Sequence, residues 1–397
     1  MSYNDNEFEQ KDFAEDFFGA AEMNALNDEA ERNNKSKKNN GKNKAVIIAV
    51  AVVVVIAIVC GVYFGFIRNK EEEPTETSSQ ITTTTEAPVL VLNPLTGEAD
   101  YNDAAIGKRP VSVVIDNASG ARPQYNMSKA DIVVEGEVEG GETRMLWFFA
   151  DMTNLPDQIG PTRSARPSFV QFSELFDSVY VHFGGSHSKG SYVGGYEIIK
   201  QDGVDDIDGM TVSSCFRRTS DKVSPHNAVL IGENLLAAVE KKNYRTDLEE
   251  SSFSKLNFKE EVNSVSDVPC NSTTVKFSSK TNSHTFAYDG NSKVYSNQTD
   301  YGTPVSFTNL IVMYADSTYI DKSNYKGAGR TETYLNYSLT SGNGKLMSCG
   351  SVVDFTWSVD NGILSFKDTN GNDLELNPGK SWIGLASANH DGSVTVE

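Results

Sequence analysis

Residues 135–169 read EGEVEGGETRMLWFFADMTNLPDQIGPTRSARPSF. An apolar run over 143–150 is entered through Gly140 and Gly141 and left through a loop that ends in Gly160-Pro161. The pattern predicts a buried strand, joined through a glycine turn to a preceding strand over 132–138. The loop beyond it presents Arg163 and Arg166 three residues apart. Pro167 can open a helix over 168–176 whose Phe169, Phe172 and Phe176 share one face. Two arginines on a Gly/Pro-fixed loop beside a buried strand suit recognition of an anion better than core packing.

Upstream, 110–115 (PVSVVI) reads as a buried strand that delivers Asp116 and Asn117 into a loop carrying Arg122. Downstream, 178–183 reads as a strand ending at Gly184-Gly185, 196–201 and 233–244 as helices, and 215–227 (CFRRTSDKVSPHN) as an irregular loop. From about Asp247 the texture changes to short alternating runs such as TVKFSS, HTFAYD, NLIVMYA and VVDFTWSV. Asp289-Gly290, Asn361-Gly362 and Asn370-Gly371 offer hairpin turns between them. The expected fold class is α+β: an α/β-type domain with a mixed sheet over 89–246, then a β-rich domain over 247–397.

The first 88 residues have a different character. Residues 45–67 (AVIIAVAVVVVIAIVCGVYFGFI) carry no charge and as a helix would span about 34 Å, enough for a bilayer core. Arg32, Lys35, Lys37, Lys38, Lys42 and Lys44 precede this run, and Glu71 to Glu73 follow soon after it. The positive-inside rule then predicts a single-pass transmembrane helix. It would put a disordered tail (1–44, acidic then basic) in the cytoplasm, a Thr/Glu/Pro-rich disordered stalk (68–88) outside, and the globular part beyond the membrane. A net charge of −19 argues against nucleic acid as a partner.

Candidate chemistry concentrates in the 89–246 segment. Arg122, Arg144, Arg163, Arg166, Arg217 and Arg218 offer planar forks that match phosphate or carboxylate, with Asn117 and Asn227 as polar companions. The alternative is structural ion pairing, for which Glu135, Glu137, Glu139 and Glu142 are available. Asp116 and His226 are the candidates for acid/base work, since imidazole titrates near neutrality. His182 reads as a packed core histidine. No metal or cofactor site is expected. GGSHS (184–188) lacks the last glycine of a nucleophile elbow, and Cys215, Cys270 and Cys349 show no CxxC spacing.

Seven motifs occur in order: NPLTG (93–97), RPVSVVIDN (109–117), ARPQ (121–124), KADIVVEGEVEGGETR (129–144), IGPTRSARP (159–167), YVHFGGS (180–186) and PHN (225–227). With GNG (342–344) and LNPGKSWI (376–383), they resemble the YerB-type family of bacterial envelope lipoproteins, which has no assigned activity. The resemblance covers about 89–397 and implies an envelope role. The chain departs from the lipobox pattern, because Val59 rather than a small residue precedes Cys60, so a retained helix is expected instead of a lipid anchor. A looser likeness of parts links it to the LytR-CpsA-Psr ligases. They too combine a strand ending in Asp with arginines that hold a polyprenyl pyrophosphate. Two functions follow as expectations. One is a binding or scaffold module for an anionic envelope component or a cell-wall synthesis partner. The other is a phosphoryl or glycopolymer transferase with an arginine-lined polyprenyl-phosphate site.

Overall fold

A computed structural model of the chain describes residues 91–99, 101–325 and 329–397. The tail, the apolar run and the stalk read in 1–88 lie outside the described residues. Among those residues no helix is long and apolar enough to cross a membrane.

The first half contributes β1 (Val111–Asp116), β2 (Ile132–Glu137), β3 (Thr143–Phe149), β4 (Val179–His182), β5 (Asp206–Asp208), β6 (Phe216–Arg218) and β7 (Ala228–Leu230). It also holds helices α1 (Pro167–Glu174), α2 (Gly195–Asp202) and α3 (Leu235–Lys241). The second half is built of strands. These are β8 (Asn257–Phe258), β9 (Ser272–Lys276), β10 (Ser283–Asp289), β11 (Val294–Asn297), β12 (Val305–Phe307), β13 (Asn309–Ala315), β14 (Ser317–Tyr325) and β15 (Arg330–Tyr337). Then come β16 (Ser341–Ser348), β17 (Ser351–Asp360), β18 (Ile363–Asp368), β19 (Glu375–Leu376), β20 (Ser381–Ser387) and β21 (Ser393–Val396).

The halves share one sheet. Its order is β18-β17-β16-β13-β20-β2-β3-β1-β4-β5, with the junction where β20 runs parallel to β2 and Val134 faces Ile383. The pairing is mixed: β2–β3 and β1–β3 are antiparallel, while β1–β4 and β4–β5 are parallel. A five-stranded antiparallel sheet, β12-β11-β10-β9-β21, lies beside it.

Successive strand residues point to opposite faces, so a sheet covered on both sides needs apolar residues at nearly every position. Every residue of β1 and of β2 is buried. Val111, Val113 and Ile115 pack in one core with Leu235 and Val239 of α3, with Val275 and Phe286 of the smaller sheet, and with Phe277 just past β9. Val114, Leu146 and Phe148 pack on the other side with Phe169, Phe172 and Phe176. The Phe148 and Phe176 rings meet edge-on at 5.2 Å between centroids. Pro167 takes the first turn of α1, where its missing N–H leaves no partner unsatisfied.

The stretch 215–227, expected as an irregular loop, opens instead with β6, which pairs antiparallel with β7. It escaped the sequence reading because three-residue strands are too short to show a period.

Candidate functional site

The loop after β3 doubles back and lies across the ends of two strands. Ile115 bridges to Thr162, and Ala165 bridges to Gly185 at the end of β4. The Arg163 N–H donates to Val114 O (3.0 Å), and the Phe183 N–H donates to Arg163 O (3.0 Å). Residues 162–165 are thereby wedged between β1 and β4 at their carboxyl ends, where open α/β sheets commonly place ligands. The Thr162 N–H also donates to Ala228 O (2.6 Å), which brings the PHN segment alongside.

Asp116, the last residue of β1, is buried and is met by an imidazole and a guanidinium. His226 Nδ1 lies 2.8 Å from its Oδ2, Arg163 Nε lies 3.3 Å from the same oxygen, and the Ala118 N–H donates to Oδ1. Burial alone would raise the carboxyl pKa. The His226 hydrogen bond and the Arg163 charge outweigh it and hold Asp116 at about 2. Asp116 is therefore a carboxylate, and His226 Nδ1 must be the donor. Arg218 neighbours Arg163, and its pKa is pushed down first by burial and then by that guanidinium. Its Nη1 donates to Asn227 Oδ1 (2.6 Å). Arg122 Nε donates to Asn117 Oδ1 (3.2 Å), which also accepts from Gln124 Nε2 (2.9 Å). The Oε1 of buried Gln124 has no hydrogen-bond partner among the described residues.

A second cluster adjoins the first. Arg144, opposite Asp116 in the β1–β3 register, and Arg166 both bind Glu139. Their remaining donors meet backbone: Arg144 Nη1 donates to Ser164 O and Arg166 Nη1 to Ala165 O. Two guanidiniums on one carboxylate leave positive charge in surplus. Burial and then Arg166 bring the Arg144 pKa down to about 10. Glu139 is half-buried, yet Arg144 and Arg166 hold it at about 2.

The expected residues thus separate. Asp116, Arg163, His226 and Arg218 gather with Asn117, Arg122 and Asn227 around the end of β1. Arg144 and Arg166 sit behind the loop, where the structural ion-pair reading fits them, since they tie it to Glu139. Arg217 points away, donating to Gln158 Oε1 (2.5 Å). His182 is a buried histidine whose ring contacts Gly184 O and Asp206. Among the described residues no group of three or more His, Cys, Asp or Glu is arranged to hold a metal. Two clefts of about 340 and 420 Å³ lie elsewhere, one along β18 and one around Asp177, and neither is lined by this cluster.

Some neighbours were missed from sequence. Tyr334 of β15 stacks near Tyr192 (4.3 Å) and beneath the Arg166 guanidinium (5.6 Å). It lies 168 residues from Arg166 in the chain, in a strand with no distinguishing motif. Glu135 was visible only as one acid among four. It is fully buried, accepting from Asn117, Thr143, His284, Tyr301 and Trp382.

Comparison with known proteins fits this geometry into a family. Residues 95–245 match the N-terminal domain, and residues 273–383 the C-terminal domain, of a protein family of unknown function, DUF3048. The chain is 32% identical over 312 residues to the "Putative lipoprotein YerB" of Bacillus subtilis (strain 168), covering 74% of this chain and 85% of that protein. The crystal structure of YerB from Bacillus subtilis is similar at a TM-score of 0.62 and 30% identity, covering 77% of this chain and 99% of that one. The likeness corrects the topology drawn from residues 45–67. The relative is described as a lipoprotein, a class held to membranes through lipid, so a transmembrane single-pass anchor with a cytoplasmic N-terminus does not stand. Hydropathy and flanking charge show that this segment is apolar; they do not show how the chain is held to a membrane. By the extent of these matches, the chain belongs to the DUF3048 family, proteins of unknown function built from an N-terminal and a C-terminal domain.

Proposed function

We propose that the protein is an envelope-associated binding module, carried on a membrane as its lipoprotein relative is described, that holds an anionic envelope component. A concentration of guanidinium at the carboxyl end of β1 carries this reading: Arg163 meets the buried Asp116 carboxylate, Arg218 stands next to Arg163, and Arg122 donates to the neighbouring Asn117. A phosphorylated glycan or lipid, presented alone or by a cell-wall synthesis partner, has the matching charge. Native mass spectrometry of the membrane-extracted chain tests it. A phosphorylated ligand that co-purifies with the wild type and is absent from Arg163→Ala supports the module. A partner protein with no such ligand in either sample refutes the anion as cargo.

The Asp116–His226 contact favours a second reading, a phosphoryl or glycopolymer transferase acting on a polyprenyl phosphate. A buried carboxylate that fixes an imidazole is the arrangement of a general base. Turnover of a polyprenyl-phosphate donor that disappears in His226→Gln while binding persists would select this reading over the first.

A further inference from the structure

Asp116 fixes more than the position of His226. Because the carboxylate can only accept, Nδ1 carries a proton, and in the neutral ring Nε2 is then a lone-pair acceptor. The ring is about one-quarter exposed, with a side-chain accessibility of 26%, and among the described residues nothing hydrogen-bonds its Nε2. Gly120 borders the ring edge that carries Nε2: a Cβ there would lie 3.0 Å from Cδ2 and 3.6 Å from Nε2, and with no side chain at this position that crowding is absent. The Arg163 guanidinium approaches the same Asp116 oxygen as His226 does, with Arg218 next to it. The cluster therefore sets a proton acceptor beside guanidinium donors.

Resting on the anion-binding reading above, we propose that this site takes a phosphomonoester-type group, and that His226 Nε2 selects it by sharing the proton that such a group carries. A phosphomonoester has a second ionisation near neutrality, so it can offer one O–H to Nε2 while its other oxygens face guanidinium. If the proton moves to the ring, the same hydrogen bond persists as imidazolium to dianion. Sulfate and phosphodiesters have no proton to share near neutral pH. Against them the Nε2 lone pair faces an oxygen lone pair unless the ring is charged from solvent. A site built around a shared hydrogen bond discriminates strongly against an analogue that lacks it.

The test is calorimetry on the detergent-purified full chain at pH 7. Its probes are inorganic phosphate, sulfate, dihexanoyl phosphatidic acid (a phosphomonoester lipid) and dihexanoyl phosphatidylglycerol (a phosphodiester lipid). The expected result is binding of phosphate at least about tenfold tighter than of sulfate. Phosphatidic acid should beat phosphatidylglycerol by a similar factor if the source of the group is a lipid, and phosphate alone should bind if it is soluble. His226→Gln should bring phosphate and sulfate within about twofold of each other, whereas Arg163→Ala should weaken both. Equal binding of phosphate and sulfate by the wild type overturns the proposal while leaving the anion-binding reading intact, and this comparison needs no variant to fold. A preference unchanged in His226→Gln also overturns it. Binding of none of the four overturns the anion-binding reading itself.

Discussion

Gly160 shows how one residue holds the arginine loop in place. Its φ of +144° is a region that glycine adopts freely, and a Cβ there would lie 2.7 Å from Thr162 N and 3.2 Å from Ala228 O. Gly160→Val should therefore lower stability by about 2–3 kcal/mol in urea unfolding, whereas Asp157→Ala, on the exposed part of the same loop, should stay within about 0.5 kcal/mol. Equal tolerance of the two changes would show that the loop is not held by its backbone. Glu139 is the complementary case. Its folded pKa of about 2 lies below the ordinary value of 4.5, so its contribution is present above pH 4.5 and lost as pH falls through about 2. That difference corresponds to about 3 kcal/mol. Glu139→Gln leaves two buried guanidiniums on a neutral amide. It should cost about 3–5 kcal/mol at pH 7 and flatten the acid limb of the stability curve.

At the scale of elements, β2 and β10 are locked together by ionisation. His284 of β10 sets Nε2 3.0 Å from Glu135 and Nδ1 3.0 Å from Asp300, so both ring nitrogens face carboxylates and both carry protons. Burial would lower its pKa, but Glu135 and Asp300 raise it to about 9. With the folded value above the unfolded one near 6.5, this stabilisation is complete below pH 6.5 and lost as pH rises through about 9. Thermal melts should show the wild type losing about 3 kcal/mol across that window, with His284→Phe flat there. A wild-type curve that stays level from pH 6.5 to 9.5 would disprove the charged pair. Nothing in the sequence pointed to it, because it joins residues 149 apart, and no local pattern links Glu135 to His284. Local elements were legible where local physics decides them. Glycine turns and continuous apolar runs marked β1 to β3, and the Asn361-Gly362 turn sits between β17 and β18 with both φ values positive. The site was half legible. Asp116 was named from its place at a strand end and Arg163 from its Gly/Pro-fixed loop, but which arginine meets which acid depends on tertiary approach, and Arg166 went to Glu139 behind the loop.

At the scale of the whole molecule, the change in sequence texture near residue 247 and the course of the sheet tell different stories. Composition divides the chain there, yet β20 of the second half lies between β13 and β2, and the described residues belong to one compact unit. Trp382 donates from β20 to Glu135 on β2, and Tyr301 and His284 reach the same carboxylate. A segment ending at residue 246 would thus present β2 as a bare edge and leave Glu135 buried or half-buried without three of its partners. An unpaired apolar edge strand invites association with other chains, and an uncompensated buried carboxylate is strongly destabilising. Residues 89–246 produced alone should accordingly aggregate on gel filtration and lack a cooperative unfolding transition. Co-expression with 247–397 should restore a monodisperse complex that melts as one unit. A sharp, reversible melt of 89–246 by itself would instead make the two halves independent domains, and would place the anion-binding cluster on a body that needs nothing from β20.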